Sequence, residues 1–216
     1  MNKYLALTLI ISTISAGAMG QAGGKEYPQP EFSNEVSWYN KDNNTLTRLE
    51  KGLSKMDTKT KAGGMGGAEN SYSIEGEKSP VRIIAGNNLS FIYATGATDF
   101  SSAVSDSMMR ANGMDPNMMK GGGMGGDPSN LVTLYAADPS KNVRKVILMK
   151  MPGMFGGKKL KSSDKQSFSV RKIKDGYWEL VVDKPLKKGE YIFTVAGGAG
   201  MGSMDGSTTL FAFGVD

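Results

Sequence analysis

From residue 34 onward the chain is built of short apolar runs, alternating or rich in β-branched residues and separated by turn-forming groups. Runs at 35–39 and 45–49 flank Lys41-Asp42-Asn43-Asn44, whose Asp and Asn tolerate left-handed backbone, so the two predict a hairpin. Runs at 71–75 and 81–85 are divided by Gly76-Glu77-Lys78-Ser79-Pro80, and Gly86-Asn87-Asn88 leads into 89–94. Further runs at 131–136, 143–149, 167–173, 177–182, 190–195 and 208–215 are each bounded by Gly, Pro, Asp or Asn. Eleven strands without helices alternating between them predict an all-β fold, an antiparallel β-sandwich rather than a parallel α/β enzyme.

Residues 96–129 break this rhythm. Phe100, Val104 and Met108 recur at helical spacing, and Gly113 is placed to cap, so one short helix is expected over 98–111. Asp115-Pro116 would start a second turn, and 120–126 is nearly all Gly. The expected organisation is a signal peptide at 1–20, a polar linker at 21–33 with Pro28 and Pro30, and a single domain at 34–216 carrying this Gly/Met-rich insert. The signal is read from Lys3, the apolar run 5–14, and the small residues Ala16-Gly17-Ala18 or Ala18-Met19-Gly20. That run is half the roughly 20 residues a spanning helix needs, and no longer one follows. The expectation is an exported protein, periplasmic or secreted, with no transmembrane segment in its mature form. Export sets nucleic acid aside as a partner despite a sequence pI of 9.2.

Near the C-terminus, Leu186-Lys187-Lys188-Gly189-Glu190-Tyr191 is followed by alternating apolar residues. It resembles the Leu-x-x-Gly-x-Tyr corner of immunoglobulin-like and fibronectin type III-like domains. The resemblance covers about ten residues with the strands before and after them. It implies an immunoglobulin-like sandwich in which Leu186, Gly189 and Tyr191 form a structural corner, the Tyr hydroxyl bonding back to the chain, and it implies no activity. The strand number exceeds the seven or nine of that fold, which an added hairpin or a jelly-roll-like topology would absorb.

Composition removes much chemistry. The chain has no Cys and no His, which excludes disulfides, thiolate nucleophiles, imidazole bases and zinc sites of the usual kind. A hydrolase would have to use paired carboxylates, and no spacing singles out a pair. Asp175-Gly176, Asp205-Gly206, Asp127-Pro128 and Asp138-Pro139 read as turn chemistry. Trp38 and Trp178 read as core residues before they read as a sugar-stacking platform.

Two features stay unabsorbed. Many of the 15 Met stand in Gly-rich connections: Gly63-Gly64-Met65-Gly66-Gly67 recurs as Gly122-Gly123-Met124-Gly125-Gly126, with looser echoes around Met154 and Met201. Thioether sulfur selects Cu(I) or Ag(I) and needs no deprotonation, so Met108, Met109, Met114, Met118 and Met119 are candidate metal ligands, in a pattern similar to the methionine-rich segments of some copper-handling exported proteins. The plainer account is a set of flexible insertions that order poorly and oxidise readily. The second feature is charge: residues 138–190 hold fourteen basic and six acidic side chains. Lys158, Lys159 and Lys161 are candidates for an anionic-surface contact, although lysines on strand edges also serve to block edge pairing. The reading is an exported, non-catalytic binding or envelope structural protein without a cofactor, whose partners would be envelope glycans or proteins. A periplasmic Cu(I) or Ag(I) binder is the first alternative and a carboxylate hydrolase the second.

Overall fold

The computed structural model describes residues 26–60, 67–95, 110–111, 128–140, 142–152, 162–174, 176–195 and 207–216. The described residues are almost entirely antiparallel β-structure in two packed sheets, a β-sandwich, as the apolar rhythm predicts.

The smaller sheet has five strands. β1 (Glu35–Asn40) and β2 (Thr45–Arg48) form the expected hairpin, turned by Asn44 at φ 56°. Next in chain order are β3 (Glu50–Lys55), β4 (Asp57–Thr60), β5 (Gly67–Glu75), β6 (Arg82–Ile83) and β7 (Ser90–Ala94). The second half supplies β8 (Val132–Ser140), β9 (Val143–Pro152), β10 (Lys165–Gln166), β11 (Phe168–Lys174), β12 (Tyr177–Val182), β13 (Gly189–Val195) and β14 (Ser207–Val215). The smaller sheet runs β11-β12-β7-β1-β2, and the larger runs β3-β14-β13-β8-β9-β5-β4. β10 is added beside β8, and β6 pairs with β14 in the one parallel contact between these strands.

Alternation explains where the core sits. Phe91 and Tyr93 of β7, Trp178, Leu180 and Val182 of β12, Phe193 of β13 and Phe211 and Phe213 of β14 meet between the sheets. Phe91 lies 4.9 Å, ring to ring, from both Phe193 and Phe213. Each such fully buried ring contributes about 2–3 kcal/mol over an exposed one. Trp178 belongs to this core and Tyr177 to the opposite face, one in and one out as consecutive strand residues must be.

The larger sheet buries its second face as well, because it curls. Ile74 (β5), Tyr135 (β8), Val146 (β9), Ile192 (β13) and Leu210 and Ala212 (β14) form a second cluster on the side away from the smaller sheet. β3 and β4 are consecutive and stand at opposite ends of the strand order, β3 against β14 and β4 against β5. The sheet therefore nearly closes on itself. The seam between β3 and β5 is sealed by side chains: the Ser73 N–H donates to Ser54 Oγ at 3.0 Å, and Ile74 lies over Gly52, where a Cβ would sit 2.6 Å from Ile74 Cδ1. Only glycine leaves Ile74 that space.

Four strands depart from expectation. β3 and β4 lack an apolar alternation because the side of β3 facing the cluster carries Glu50, Gly52 and Ser54. The strand predicted at 45–49 stops at Arg48, and Leu49 is a buried corner in the inter-sheet core where the chain crosses from one sheet to the other. The expected 81–85 strand shortens to Arg82–Ile83. Of the helix expected at 98–111, Arg110 and Ala111 alone lie among the described residues. Within the stretch read as a polar linker, residues 26–33 lie on the outer face of the smaller sheet. Tyr27 packs 5.5 Å from the Tyr39 ring, and the Tyr177 hydroxyl donates to the Pro28 carbonyl.

Candidate functional site: two unlike ends of a curled sheet

One end of the curled sheet is plugged with charge. Arg144 follows the β8–β9 turn, which Asn142 makes at φ 64°, and its side chain is fully buried. The guanidinium donates to both oxygens of Glu50 at 2.6 Å, from Nη2 to the Glu75 carbonyl at 2.7 Å and from Nε to the Gly76 carbonyl at 3.0 Å. Glu190 lies 3.8 Å from the same guanidinium and accepts from the Ser79 N–H at 2.8 Å and from Arg82. Arg82 also holds Asp216 at 2.6 Å. Its guanidinium occupies the space over Gly214, where a Cβ would lie 1.7 Å from Nη1. Arg82 stays charged, its pKa raised by the hydrogen bonds it donates to Asp216 first and Glu190 second, and the same contact holds Asp216 below the usual carboxylate range. Glu50 and Glu190 are thus two carboxylates converging on one cation, Arg144.

The other end is built differently. Thr133 pairs with Thr194, and Thr194 with Leu210, so both threonines share the face of the second cluster. Thr208, two residues before Leu210, points the same way. On β5 the inward residues Ile74 and Tyr72 are followed, in alternation, by Asn70 and Ala68. A bulge in β9 between the Asn70 and Ser71 pairings places Met149 opposite Asn70 and Met151 opposite Ala68. Without that extra residue these methionines would face the other way. They are 40% and 46% exposed, while Val146 on the same face is fully buried. The Asn70 Oδ1 atom is buried, and no hydrogen-bond partner reaches it among the described residues. The inner face at this end therefore carries three threonines, an unpartnered amide oxygen and two exposed thioethers.

The strand ends that lead to the Gly-Met segments belong to this same end. Gly67 pairs with Pro152, Val195 with Val132, and Ser207 with Lys55. The connections from β4 to β5, from β9 to β10, from β13 to β14 and into β8 all leave from there.

A second charged group lies on the outer face of the smaller sheet. Glu179 is 1% exposed and accepts from Ser90 at 2.6 Å and Tyr27 at 3.0 Å, with Lys41 at 3.1 Å and Arg171 at 2.5 Å. Burial alone would raise its pKa, but the Ser90 hydroxyl, Lys41 and Arg171 together outweigh burial and lower it. Glu179 is an ionised anchor for the segment at Tyr27.

Of the residues singled out from sequence, Leu186 is buried in the inter-sheet core, Gly189 opens β13 at φ 157°, and the Tyr191 hydroxyl donates to the Lys187 carbonyl at 2.9 Å. Met108, Met109, Met114, Met118 and Met119 lie outside the described residues, as do Lys158, Lys159 and Lys161. β11, with Arg171, Lys172 and Lys174, is an edge strand of the smaller sheet, where basic side chains block edge pairing. Among the described residues no three His, Cys, Asp or Glu converge on a metal position, and no helix is long and apolar enough to cross a membrane. Asn70, Met149 and Met151 were not legible as a site. Only the neighbouring Met-Gly segments hinted at this end. No family model, curated protein or solved structure matches the chain.

Proposed function

We propose that this chain is an exported, non-catalytic binding protein whose ligand sits on the open end of the curled sheet. Export rests on Lys3, the apolar run 5–14 and the small residues that follow it. Binding rests above all on the contrast between the two ends. At the plugged end Glu50, Arg82, Arg144, Glu190 and Asp216 are paired with one another, whereas at the other end a buried acceptor, Asn70 Oδ1, has no hydrogen-bond partner among the described residues. An unsatisfied buried acceptor costs about 1–3 kcal/mol, and a ligand that reaches it recovers that cost. Openings of barrel-like sheets are common ligand sites. The bond from Tyr191 to Lys187 supports kinship with immunoglobulin-like sandwiches, while the curled nine-stranded sheet goes beyond that pattern.

Envelope glycan fragments are the first ligands to test, because hydroxyl and amide groups suit a wall of threonine and asparagine. Soluble peptidoglycan fragments titrated calorimetrically into the parent chain should bind. Replacing Thr133, Thr194 and Thr208 by Val should weaken that binding by about tenfold or more, since each unmet polar contact costs about 1 kcal/mol. Binding that the triple variant keeps would contradict the placement.

A further inference from the structure

We propose that Met149 and Met151 form a site for a soft monovalent cation, Ag(I) or Cu(I), a role that rests on the open end being the binding face. The two residues alternate with Lys150 along β9, so their side chains share one face with Cα atoms about 7 Å apart. Two unbranched thioethers with three rotatable bonds each span that gap and meet on a single ion. Across the ladder Ala68 faces Met151 with only a methyl group, which leaves space, and Asn70 faces Met149. Asn70 Oδ1, buried and without a hydrogen-bond partner among the described residues, belongs to the residue opposite Met149, while the two thioethers set the preference for a soft ion.

The electrostatics agree. Lys150 projects to the opposite face, where Glu69 holds it at 3.2 Å together with Lys145. Lys150 is thus turned away from the thioethers, and Lys165, the described cation on the second-cluster face, stands over the Tyr135 ring at 5.7 Å. Thioethers need no deprotonation, so the site takes metal without releasing protons and prefers soft ions over Zn²⁺, Ca²⁺ or Mg²⁺. Two methionines that merely capped a strand end would not call for a buried, unpaired amide oxygen opposite one of them.

The test uses the purified chain labelled with 13C in the methionine methyl groups, the two signals assigned by Met149→Leu and Met151→Leu. Leu for Met conserves volume, and unchanged urea midpoints show that the variants fold. On addition of Ag(I) up to one equivalent, the Met149 and Met151 signals should shift together and ahead of the other methionines. The double Leu variant should lose this step, with affinity for Ag(I) weaker by about tenfold or more. Either signal left unmoved at one equivalent, or a double variant that binds Ag(I) as the parent does, overturns the proposal. Were peptidoglycan fragments still to perturb Asn70 and Thr194 in that case, the metal site alone would fall. Were neither probe to touch this end, the binding face would fall with it.

Discussion

Arg144→Met tests the plugged end. The substitution keeps an unbranched side chain of similar length and removes a guanidinium that makes four hydrogen bonds of 2.6–3.0 Å while fully buried. Left behind are the Glu50 carboxylate and the Glu75 and Gly76 carbonyls, all without their donor. Breaking a buried pair from one side costs about 3–5 kcal/mol, because the remaining charge stays buried. Two features here reduce that figure. The Glu50 side chain keeps 21% exposure, and Glu190 retains Arg82 and the Ser79 N–H. The expected loss is therefore about 3 kcal/mol, near the lower bound. Arg144→Met with Glu50→Gln removes both charges, and the double variant should recover about half of that loss or more. Urea unfolding followed by Trp fluorescence reads this well, since Trp178 sits in the inter-sheet core. A single variant that costs under about 1 kcal/mol, or a double variant less stable than the single, would refute the reasoning that the pair closes this end.

Further consequences follow at other positions. Glu179 has a depressed pKa, so its contribution is complete above the unfolded carboxylate value of about 4.3 and is lost as pH falls through the folded value. Glu179→Gln should flatten the acid limb of a plot of urea midpoint against pH, and an unchanged limb would contradict the pairing with Ser90, Lys41 and Arg171. Tyr177 is pushed up to about 12 by burial first and the neighbouring Tyr39 second. Its neutral form stabilises fully below about pH 10, and about 3 kcal/mol is lost as pH rises from there toward 12; Tyr177→Phe should remove that alkaline loss. Gly52→Val places carbon against Ile74 at the seam and should cost about 1–3 kcal/mol in urea unfolding, whereas a neutral result would mean that the seam is loose. Tyr191→Phe deletes the bond to the Lys187 carbonyl and should lower stability by about 1 kcal/mol on the same assay.

How much of this was written in the sequence varies with the element. β12 runs over the residues its apolar pattern predicts, because Tyr177-Trp178 after Asp175-Gly176 carries both the turn and the alternation. The β1–β2 hairpin is legible for the same reason, through Asn44. β3 and β4 were not legible, since a strand that seals a seam with glycine, serine and glutamate shows no apolar period. The ion cluster escaped because its members, Glu50, Arg82, Arg144, Glu190 and Asp216, are far apart in sequence and meet only when the sheet curls. The thioether pair escaped for a subtler reason. Alternation from Val146 predicts Leu148 and Lys150 on the inner face; Leu148 does pack there, and the extra residue in β9 turns Met149 and Met151 to that face while Lys150 points away. The abundance of Met was visible from the start, yet its importance at these two positions depends on one extra residue in a ladder.

The most direct test of the binding face is amide chemical-shift mapping on the 15N-labelled chain, with peptidoglycan fragments and Ag(I) added in separate titrations. The account predicts shifts concentrated at Ala68, Asn70, Thr133, Met149, Met151, Thr194 and Thr208, with Gly76, Asn142 and Gly189 at the plugged end unmoved. Shifts gathered at the plugged end, or along Arg171 to Lys174 on β11, would contradict it.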